Sequence, residues 1–466
     1  MKKLLLCIAI LVMGIQFASS QDETLVKLAG SAFIDNTSYE VLRKICDEVG
    51  ARMMGNSQNE RAVEILVEEL EKIGAPVHLE KIRPIAWFPG VSSLKVKTPF
   101  EKELKAFPST QCVTFPEFEG EVVYAQYGFN ENYKDLDAKD KIVLVTAETP
   151  PDGRYLLNME AIEIAKDHRA KAIIIHHKTP GTMAFSTSGN YNGVPLEIPA
   201  FNIPWEEGRW LVRLLEKGIP VSVEGYTDSY LKEIESNNVV VTFPGRVKDK
   251  YILGCHFDSA ERGQGAFDNG AGSAVAFEVS RLLNTYAHDN YYTIEIVWFN
   301  GEETGLWGSK KYMEKHRDEN IRAVINMDMI ASPAGFNTSG FNEFRPLLER
   351  LVKELNGFDL SEGVTETLGT NSDHVSFYRE GIPVLNIVSH REPYLYYHEL
   401  GDTFDKVSKK YFSEAAAVVS ILMYELANDT EIETYRRNEK EITEHCTRFG
   451  VIDKLIREDE WPYLKK

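Results

Sequence analysis

The sequence predicts an α/β protein: a mainly parallel, mixed sheet with helices on both faces, joined by an inserted, smaller α/β domain. Three observations lead to this prediction. From residue 238 onward, strand-like runs alternate with helical runs, which is typical of a parallel sheet covered by helices. Residues from about 84 to 225 have a separate alternation of strands and helices. The chain has 466 residues, 43% of them hydrophobic, which suffices for one large α/β domain with an insertion.

The first residues have the pattern of a secretory signal. Lys2 and Lys3 precede an apolar run at 4–14, which is too short to span a membrane, and small residues at 18 and 20 suit cleavage before Gln21. No later run is long and apolar enough to span a bilayer. We therefore expect residues 1–20 to be a signal peptide and the mature protein to be exported, to the periplasm or the extracellular space.

The elements that follow are assigned in chain order from hydrophobic periodicity. Residues 21–84 form the N-terminal helical part of the main domain, because apolar residues recur every three to four positions from 38 onward and Gly74 fits a helix stop. Residues 85–225 form the inserted domain, with expected strands at 121–127, 142–146, 172–176 and 221–224 and expected helices at 157–169 and 210–215.

Residues 226–430 are assigned to the second part of the main domain, and residues 431–466 to a charged C-terminal tail that is helical or loose. In residues 226–430 we expect strands at 239–243, 251–254, 292–299, 321–325 and 382–387, and helices at 270–283, 307–316, 344–355 and 412–426.

The net charge disfavours some classes of partner, and the spacing of the cysteines indicates free thiols. The net charge of −19 disfavours nucleic acid and anionic membranes as partners. Beyond the signal, the cysteines Cys46, Cys112, Cys255 and Cys446 are widely spaced without a CxxC pair, so we expect free, buried thiols. His176 and His177 end a strand of the inserted region, where we interpret them as surface or core-edge residues. An oligomer is compatible with the sequence.

Histidines and acidic residues recur at the ends of the predicted strands, where α/β enzymes build their sites. His256 and Asp258 follow the strand 251–254 and share a face, so one can bind a metal ion while the other orients it. Glu302 and Glu303 follow the strand 292–299. Adjacent side chains point in different directions, so one glutamate can bind a metal ion while the other acts on a water molecule.

Three further residues complete the candidate set. Asp268 lies among small residues at 265–273 that leave room for a carboxylate between two cations, although an ordinary helix cap explains it equally well. Asp328 follows an apolar strand and needs a partner such as a cation. His398 is followed by an acidic residue that can orient it. A further cluster, Ser372-Asp373-His374, is interpreted as a structural cap or pocket wall.

In this order and combination, the motifs closely resemble the co-catalytic dizinc exopeptidase family, which includes bacterial leucine aminopeptidases, glutamate carboxypeptidases and carboxypeptidase Q. The resemblance covers roughly residues 38–80 and 238–428. Arg52 and Gly55 are similar to the opening segment of that family. Residues 84–225 more loosely resemble the protease-associated domain that is often inserted there.

The resemblance implies a role for each residue. Metal ligands would be His256, Asp268 and Asp328 for one zinc ion, and Asp268, Glu303 and His398 for a second. The catalytic residues would be Glu302, as the general base, and Asp258, which would orient His256. The implied activity is hydrolysis of peptides with two zinc ions per chain, and the stretch from 301 to 309 looks more like the aminopeptidases than like the glutaminyl cyclases.

Three alternatives remain open at this point. A carboxypeptidase or dipeptidase would use the same metals and need a cation for the substrate carboxylate, for which Arg391 is a candidate. A glutaminyl cyclase would use one zinc ion. A non-catalytic binding protein would be expected to have lost ligands, and none is lost.

Overall fold

The computed structural model describes residues 20–154, 156–181, 189–190, 193–390, 396–458 and 460–463. Apart from residue 20, the expected signal peptide lies outside the described residues, and so does Arg391. Among the described residues, no helix has the length and apolar character needed to cross a bilayer.

Helices and strands follow one another in an order close to the predicted one. The helices are α1 (Ser20–Ile34), α2 (Ser38–Glu48), α3 (Ser57–Lys72), α4 (Asn158–Asp167), α5 (Trp205–Glu216), α6 (Gly272–Tyr286), α7 (Trp307–Lys315), α8 (Arg345–Glu354), α9 (Val375–Tyr378), α10 (Lys409–Asn428), α11 (Glu439–Arg448) and α12 (Ile452–Arg457). The strands are β1 (Val77–Ile82), β2 (Ile85–Phe88), β3 (Ser92–Thr98), β4 (Lys102–Glu103), β5 (Phe107–Pro108), β6 (Phe115–Tyr124), β7 (Ile142–Thr146), β8 (Ala172–His176), β9 (Ala200–Ile203), β10 (Ser222–Thr227), β11 (Tyr230–Glu233), β12 (Ser236–Phe243), β13 (Val247–His256), β14 (Tyr292–Phe299), β15 (Ile321–Asn326), β16 (Pro333–Asn337), β17 (Gly363–Thr365) and β18 (Val384–Ser389).

The main sheet has eight strands in the order β1-β12-β14-β13-β15-β18-β16-β17. Its centre is parallel, because β13 pairs in parallel with β14 and β15, and β15 pairs in parallel with β18. At the edges, β12 is antiparallel to both of its neighbours and β16 is antiparallel to β18. The predicted fold class, a mainly parallel mixed sheet, is therefore confirmed.

Helices cover both faces of this sheet, as two successive residues of β14 show. The indole of Trp298 donates a hydrogen bond to the carbonyl of Ser273 on α6 (3.0 Å). The neighbouring ring of Phe299 packs instead against Tyr312 of α7 and Phe377 of α9, each with 5.7 Å between ring centroids. Successive side chains of a strand point to opposite faces, so α6 lies on one face and α7 and α9 lie on the other.

A second eight-stranded sheet, in the order β4-β3-β10-β6-β7-β8-β9-β5, is formed entirely by strands between Ser92 and Thr227. We call it the second sheet. Strands β7 and β8 have the bounds that the sequence predicted and are buried throughout. Strands β4, β5 and β9 were missed because they have only two, two and four residues, whereas β3 alternates apolar and polar side chains and was overlooked. The assignment of residues 85–225 to a protease-associated domain stays a prediction.

The described part of the C-terminal segment contains two packed helices, α11 and α12, whereas residues 431–438 form neither helix nor strand. Ile442 and Cys446 of α11 and Leu455 of α12 are fully buried in the same core as the main sheet. Of the two forms expected for residues 431–466, helical or loose, the structure shows the helical one in α11 and α12, since an apolar stripe at four-residue spacing lets a charged segment pack. All four described cysteines are free and buried, as expected.

Candidate metal centre

The candidate residues meet at one edge of the main sheet. His256 is the last residue of β13, the pair Glu302–Glu303 follows β14, and Asp328 follows β15. These strands are parallel neighbours, so their carboxyl ends lie side by side.

A first cluster forms around His256. Its Nε2 atom lies 3.1 Å from Asp268 Oδ1 and 3.3 Å from Asp328 Oδ1. Its Nδ1 atom lies 3.6 Å from Asp258 Oδ1, slightly beyond hydrogen-bond distance. His256, Asp258 and Asp268 are buried, and Asp328 is half-buried. The Nε2 atom of His256 thus faces the carboxylates of Asp268 and Asp328, and its Nδ1 atom faces that of Asp258.

A second cluster forms around His398. Its Nε2 atom lies 2.9 Å from Glu303 Oε2 and 3.3 Å from Asp268 Oδ2. The two oxygens of Asp268 therefore face two different histidines. The donor atoms of His256, Asp268 and Glu303 all lie within 4.8 Å of one another. Asp268 therefore joins the cluster around His256 to the cluster around His398.

Asp258 holds the loop that carries the two glutamates. Its Oδ1 accepts the amide N–H of Glu302 (3.1 Å), and its Oδ2 accepts that of Glu303 (3.3 Å). This contact was not foreseen from the sequence, which suggested only that Asp258 orients His256. Both glutamates are thereby fixed relative to the end of β13.

The backbone around Asp268 is fixed by Asp402, a residue that sequence reasoning assigned no role. The carboxylate of Asp402 accepts the amide N–H groups of Phe267 (2.8 Å) and Asp268 (2.9 Å). Nearby, Asn269 Oδ1 accepts the amide N–H of Gly272 (3.0 Å). The only signal in the sequence was an acidic residue shortly after His398, within the same motif.

Burial and mutual charge shift the pKa values of the site strongly. Burial raises the pKa of Glu302 well above its ordinary value; the charge of His256 opposes this, and Asp328 and Glu303 add to it. Burial by itself would lower the pKa of His398, but Glu303 and Asp268 hold that pKa well above its usual range. Asp268 has a lowered pKa, because His256 and His398 outweigh its burial.

This charge balance tests whether the residues fit a metal ion. Two imidazoles cannot neutralise the carboxylates that surround them, which are Asp258, Asp268, Glu302, Glu303 and Asp328. Buried anions in excess call for a cation. Imidazole nitrogen and carboxylate oxygen are the donors that zinc takes in catalytic sites. The residues present therefore fit zinc.

The remaining candidates lie near this centre or outside it. Asp373 and His374 are buried ahead of α9; burial raises the pKa of Asp373 to about 7 and lowers that of His374 to about 4. His176 and His177 are also buried, so of the two positions expected for them, surface or core edge, the structure shows the core edge. His177 Nε2 lies 3.5 Å from Glu399 Oε1, next to His398.

Comparison with known proteins agrees with this geometry. Residues 238–423 match the profile of Peptidase family M28. Carboxypeptidase Q of Bos taurus is 26% identical over 431 residues, covering 88% of this chain and 89% of the relative. An aminopeptidase of Bacillus subtilis (strain 168) is 24% identical over 453 residues, covering 91% of this chain and 94% of the relative.

Solved structures share the fold. The peptidase M28 precursor from Shewanella amazonensis has a TM-score of 0.77 at 22% identity, covering 90% of this chain and 99% of that one. A zinc aminopeptidase from Bacillus subtilis has a TM-score of 0.67 at 20% identity, covering 87% and 98%. The match of residues 238–423, the relatives and the candidate site together define a metallopeptidase. More particularly, the protein is an exopeptidase that is similar to peptidase family M28 over residues 238–423.

Proposed function

We propose that the protein is a zinc-dependent aminopeptidase that removes N-terminal residues from peptides and holds two zinc ions per chain. The observation that carries this proposal is that the Asp268 carboxylate lies between two histidines. Its Oδ1 is 3.1 Å from His256 Nε2, and its Oδ2 is 3.3 Å from His398 Nε2. In this proposal the first zinc ion is held by His256, Asp268 and Asp328. The second is held by Asp268, Glu303 and His398.

The chemistry needs an activated water and a proton carrier. Bound zinc supplies Lewis acidity and lowers the pKa of a coordinated water towards neutrality. Glu302 is the general base: it takes the proton of the attacking water at its carboxylate and returns it to the leaving amine. Burial raises the pKa of Glu302, which favours uptake of this proton. Asp258 keeps Glu302 in position by accepting its amide N–H.

Three features support aminopeptidase polarity. The stretch from 301 to 309 resembles that of the aminopeptidases, and a relative with 94% of its length covered is an aminopeptidase. An excess of carboxylates also favours a protonated N-terminus over a substrate carboxylate. The second candidate is a carboxypeptidase or dipeptidase, favoured by the likeness to carboxypeptidase Q.

We further propose that the chain is exported after loss of residues 1–20 and that residues 85–225 are a protease-associated domain. Support for export comes from the charged and apolar pattern of residues 2–14. The continuous sheet between Ser92 and Thr227 supports the domain assignment. N-terminal sequencing of the mature protein tests the first point: a chain that still begins at residue 1 contradicts it.

Substrate polarity is tested with matched peptides. The purified protein is assayed on one peptide in three forms: free at both ends, N-acetylated and C-terminally amidated. We expect hydrolysis of the free and amidated forms and none of the acetylated form, because blocking the amine leaves the groups that bind it unpaired. Cleavage of the acetylated form that is lost on amidation would instead establish the carboxypeptidase candidate. Zinc analysis of the same sample should give two ions per chain.

A further inference from the structure

The second sheet reaches the loop that carries Glu302 and Glu303. Gln111 follows β5 and is almost fully buried, with 1% of its surface exposed. Its side-chain Nε2 donates a hydrogen bond to the carbonyl oxygen of Thr304 (3.1 Å). Thr304 directly follows Glu303. A side chain from outside the main sheet is therefore bonded to the backbone next to a proposed zinc ligand.

The other atoms of Gln111 fix it within its own turn. Its Oε1 accepts the hydroxyl of Thr110 (2.6 Å) and the amide N–H groups of Gly189 and Asn190 (3.2 Å each). Its carbonyl accepts the amide N–H of Leu196 (3.0 Å). Its φ of 64° lies in the left-handed region, which glutamine seldom adopts. This turn presents the Nε2 atom to Thr304 in a fixed position.

The glutamate loop is thus held from two sides. Asp258 accepts the amide N–H groups at its start, and Gln111 donates to the carbonyl of Thr304. Within the loop, the carbonyl of Glu302 accepts the amide N–H groups of Gly305 and Leu306 (3.0 Å each). If the hydrogen bond from Gln111 to the Thr304 carbonyl is lost, the loop is still held by Asp258 at its start but is no longer held at Thr304.

Two further contacts from the second sheet also reach loops of the candidate centre. His177 faces Glu399, the neighbour of His398, at 3.5 Å. The guanidinium of Arg262, in the connection between Asp258 and Asp268, lies 3.3 Å from the centroid of the Phe107 ring. The contact of Gln111 is the one that bears on the proposed general base, because it joins the same short loop.

We infer that Gln111 is a positioning residue for the peptidase reaction: it sets the place of Glu302 and Glu303 through the Thr304 carbonyl. The inference rests on the proposed function of these two glutamates. It makes the region of the second sheet a part of the catalytic apparatus, although that region contributes none of the proposed ligands.

The substitution Gln111→Glu tests this contact, and its control below carries the same change of a buried amide to an acid. A carboxylate keeps the acceptor for Gly189, Asn190 and Thr110, but it places an oxygen against the Thr304 carbonyl where a donor was. We expect kcat to fall roughly 10- to 100-fold, since a displacement of the order of 1 Å at a catalytic group has such effects. KM should stay within about threefold, because the substrate contacts are unchanged.

Asn202→Asp is the matched control. Asn202 is a buried amide of the second sheet whose Nδ2 donates to Ser109 Oγ (3.0 Å) and to the Phe107 carbonyl (3.4 Å), and the change is again amide to acid. Both variants are first checked for cooperative unfolding and for the zinc content of the parent protein. We expect Asn202→Asp to leave kcat within about threefold of the parent. An equal fall in both variants would show that Gln111 only supports the second sheet and would overturn the inference.

Hydrogen exchange supplies a measurement that does not depend on activity. In the zinc-loaded protein, amide exchange is followed by mass spectrometry in a peptide that covers residues 300–309. We expect faster exchange there in Gln111→Glu and not in Asn202→Asp, because the amides of Gly305 and Leu306 bond within this loop. Unchanged exchange in Gln111→Glu would overturn the inference. If the parent hydrolyses no peptide, the proposed function fails, and exchange alone decides whether Gln111 holds the loop.

Discussion

At the residue scale, Asp268 determines how the centre is arranged. Its two oxygens face His256 and His398, and its backbone N–H is held by Asp402. If the carboxylate of Asp268 rotated, each oxygen would move away from the histidine that it faces. An asparagine at this position would present one oxygen and one amide group, so one of the two proposed metal positions would lose its shared ligand.

A test of the proposed base follows from the geometry of Glu302. Glu302→Gln keeps the shape of the side chain and its backbone bond to Asp258 but removes the basic oxygen. We expect kcat to fall by about 10²–10⁴-fold, the usual effect of removing a general base, while zinc stays bound. Steady-state kinetics and metal analysis on the same sample measure both quantities.

Glu303→Gln is the matched control, because the two residues are adjacent and equally buried. It should lose zinc as well as activity, since Glu303 Oε2 lies 2.9 Å from His398 Nε2 in the second ligand group. If Glu302→Gln loses zinc and Glu303→Gln keeps it, the two roles are exchanged. Full activity of Glu302→Gln would remove it from the mechanism.

The sequence indicated most of the residues that meet in the centre, and physical reasons explain the rest. His256, Glu302 and Asp328 were found because each follows an apolar run that forms a strand, and parallel strands end at one edge. Asp402 and Gln111 were not, because their partners are backbone groups distant in sequence. A side chain that bonds to a backbone amide needs no complementary residue type, so it leaves no pattern in the sequence.

At the element scale, a buried arginine holds the segment that joins Asp258 to Asp268. The guanidinium of Arg52 donates to the carbonyls of Phe257 (2.6 Å), Gln264 (2.6 Å) and Gly265 (2.9 Å). Arg52 itself lies between α2 and α3 and is fully buried. The helical N-terminal part is therefore joined directly to the backbone between two site residues.

Removing this arginine should weaken the fold and the metal site together. Arg52→Met leaves buried carbonyls without donors, at a cost of about 1–3 kcal/mol for each group. We expect the free energy of unfolding to fall by about 3–5 kcal/mol in urea titrations, with weaker zinc retention. Arg43→Met is the control, because Arg43 is half exposed and, within the described part of the chain, pairs only with exposed Glu40 and Asp47 on its own helix. It should change stability by less than about 0.5 kcal/mol, and an equal loss in both variants would contradict the role of Arg52.

The end of α7 carries a pH-dependent contact that is remote from the metal centre. His316 Nε2 lies 2.7 Å from Glu80 Oε2 on β1, and His316 Nδ1 lies 2.8 Å from Glu319 Oε1. Burial opposes the charged form of His316, and Lys250 also opposes it, but the two carboxylates raise its pKa above the ordinary value. Burial likewise acts against ionised Glu80, whose pKa is nevertheless lowered by His316 and Lys315.

The sign of the effect follows from these shifts. Because the pKa of His316 is higher in the folded state than in the unfolded state, protonation of His316 stabilises the fold. This contribution is complete at a pH below the unfolded-state pKa, near 6.5, and it is lost as the pH rises through the folded-state pKa. Wild type should therefore exceed His316→Gln in unfolding free energy by about 1–2 kcal/mol at pH 6, and by clearly less at pH 9. Urea titrations at the two pH values measure the difference. A gap that is constant with pH would rule out a charged His316.

At the scale of the whole molecule, the metal centre joins segments that are far apart in the chain. The proposed ligands come from positions between His256 and His398, on the connections that follow different strands and ahead of α6. A ligand that binds only the folded state stabilises it by RT ln(1 + [L]/Kd), which is about 2.7 kcal/mol at one hundred times Kd. The fold should therefore depend on zinc.

Chelation tests this dependence. Dialysis against a chelator should abolish hydrolysis and lower the midpoint of thermal unfolding, and added zinc should restore both. Calorimetry and activity on the same sample measure the two effects. Magnesium at equal concentration is the control and should restore neither, because it prefers oxygen-only coordination. Full activity in a metal-free sample would contradict the zinc proposal.

The packed C-terminal helices limit where this chain can be shortened. The family match ends at residue 423, yet the carboxylate of buried Glu460 pairs with Lys310 of α7 and with Arg379, which are both half-buried. Arg457 also reaches Glu160 of α4 beside the second sheet, at 2.8 Å. A chain cut at the end of the family match would lose the Glu460 carboxylate together with the buried side chains of α11 and α12, so the core that they cover would be exposed to water. The segment that the family profile matches is therefore no self-sufficient unit for recombinant production or gene fusion, and we expect a stable form to extend at least to Glu460.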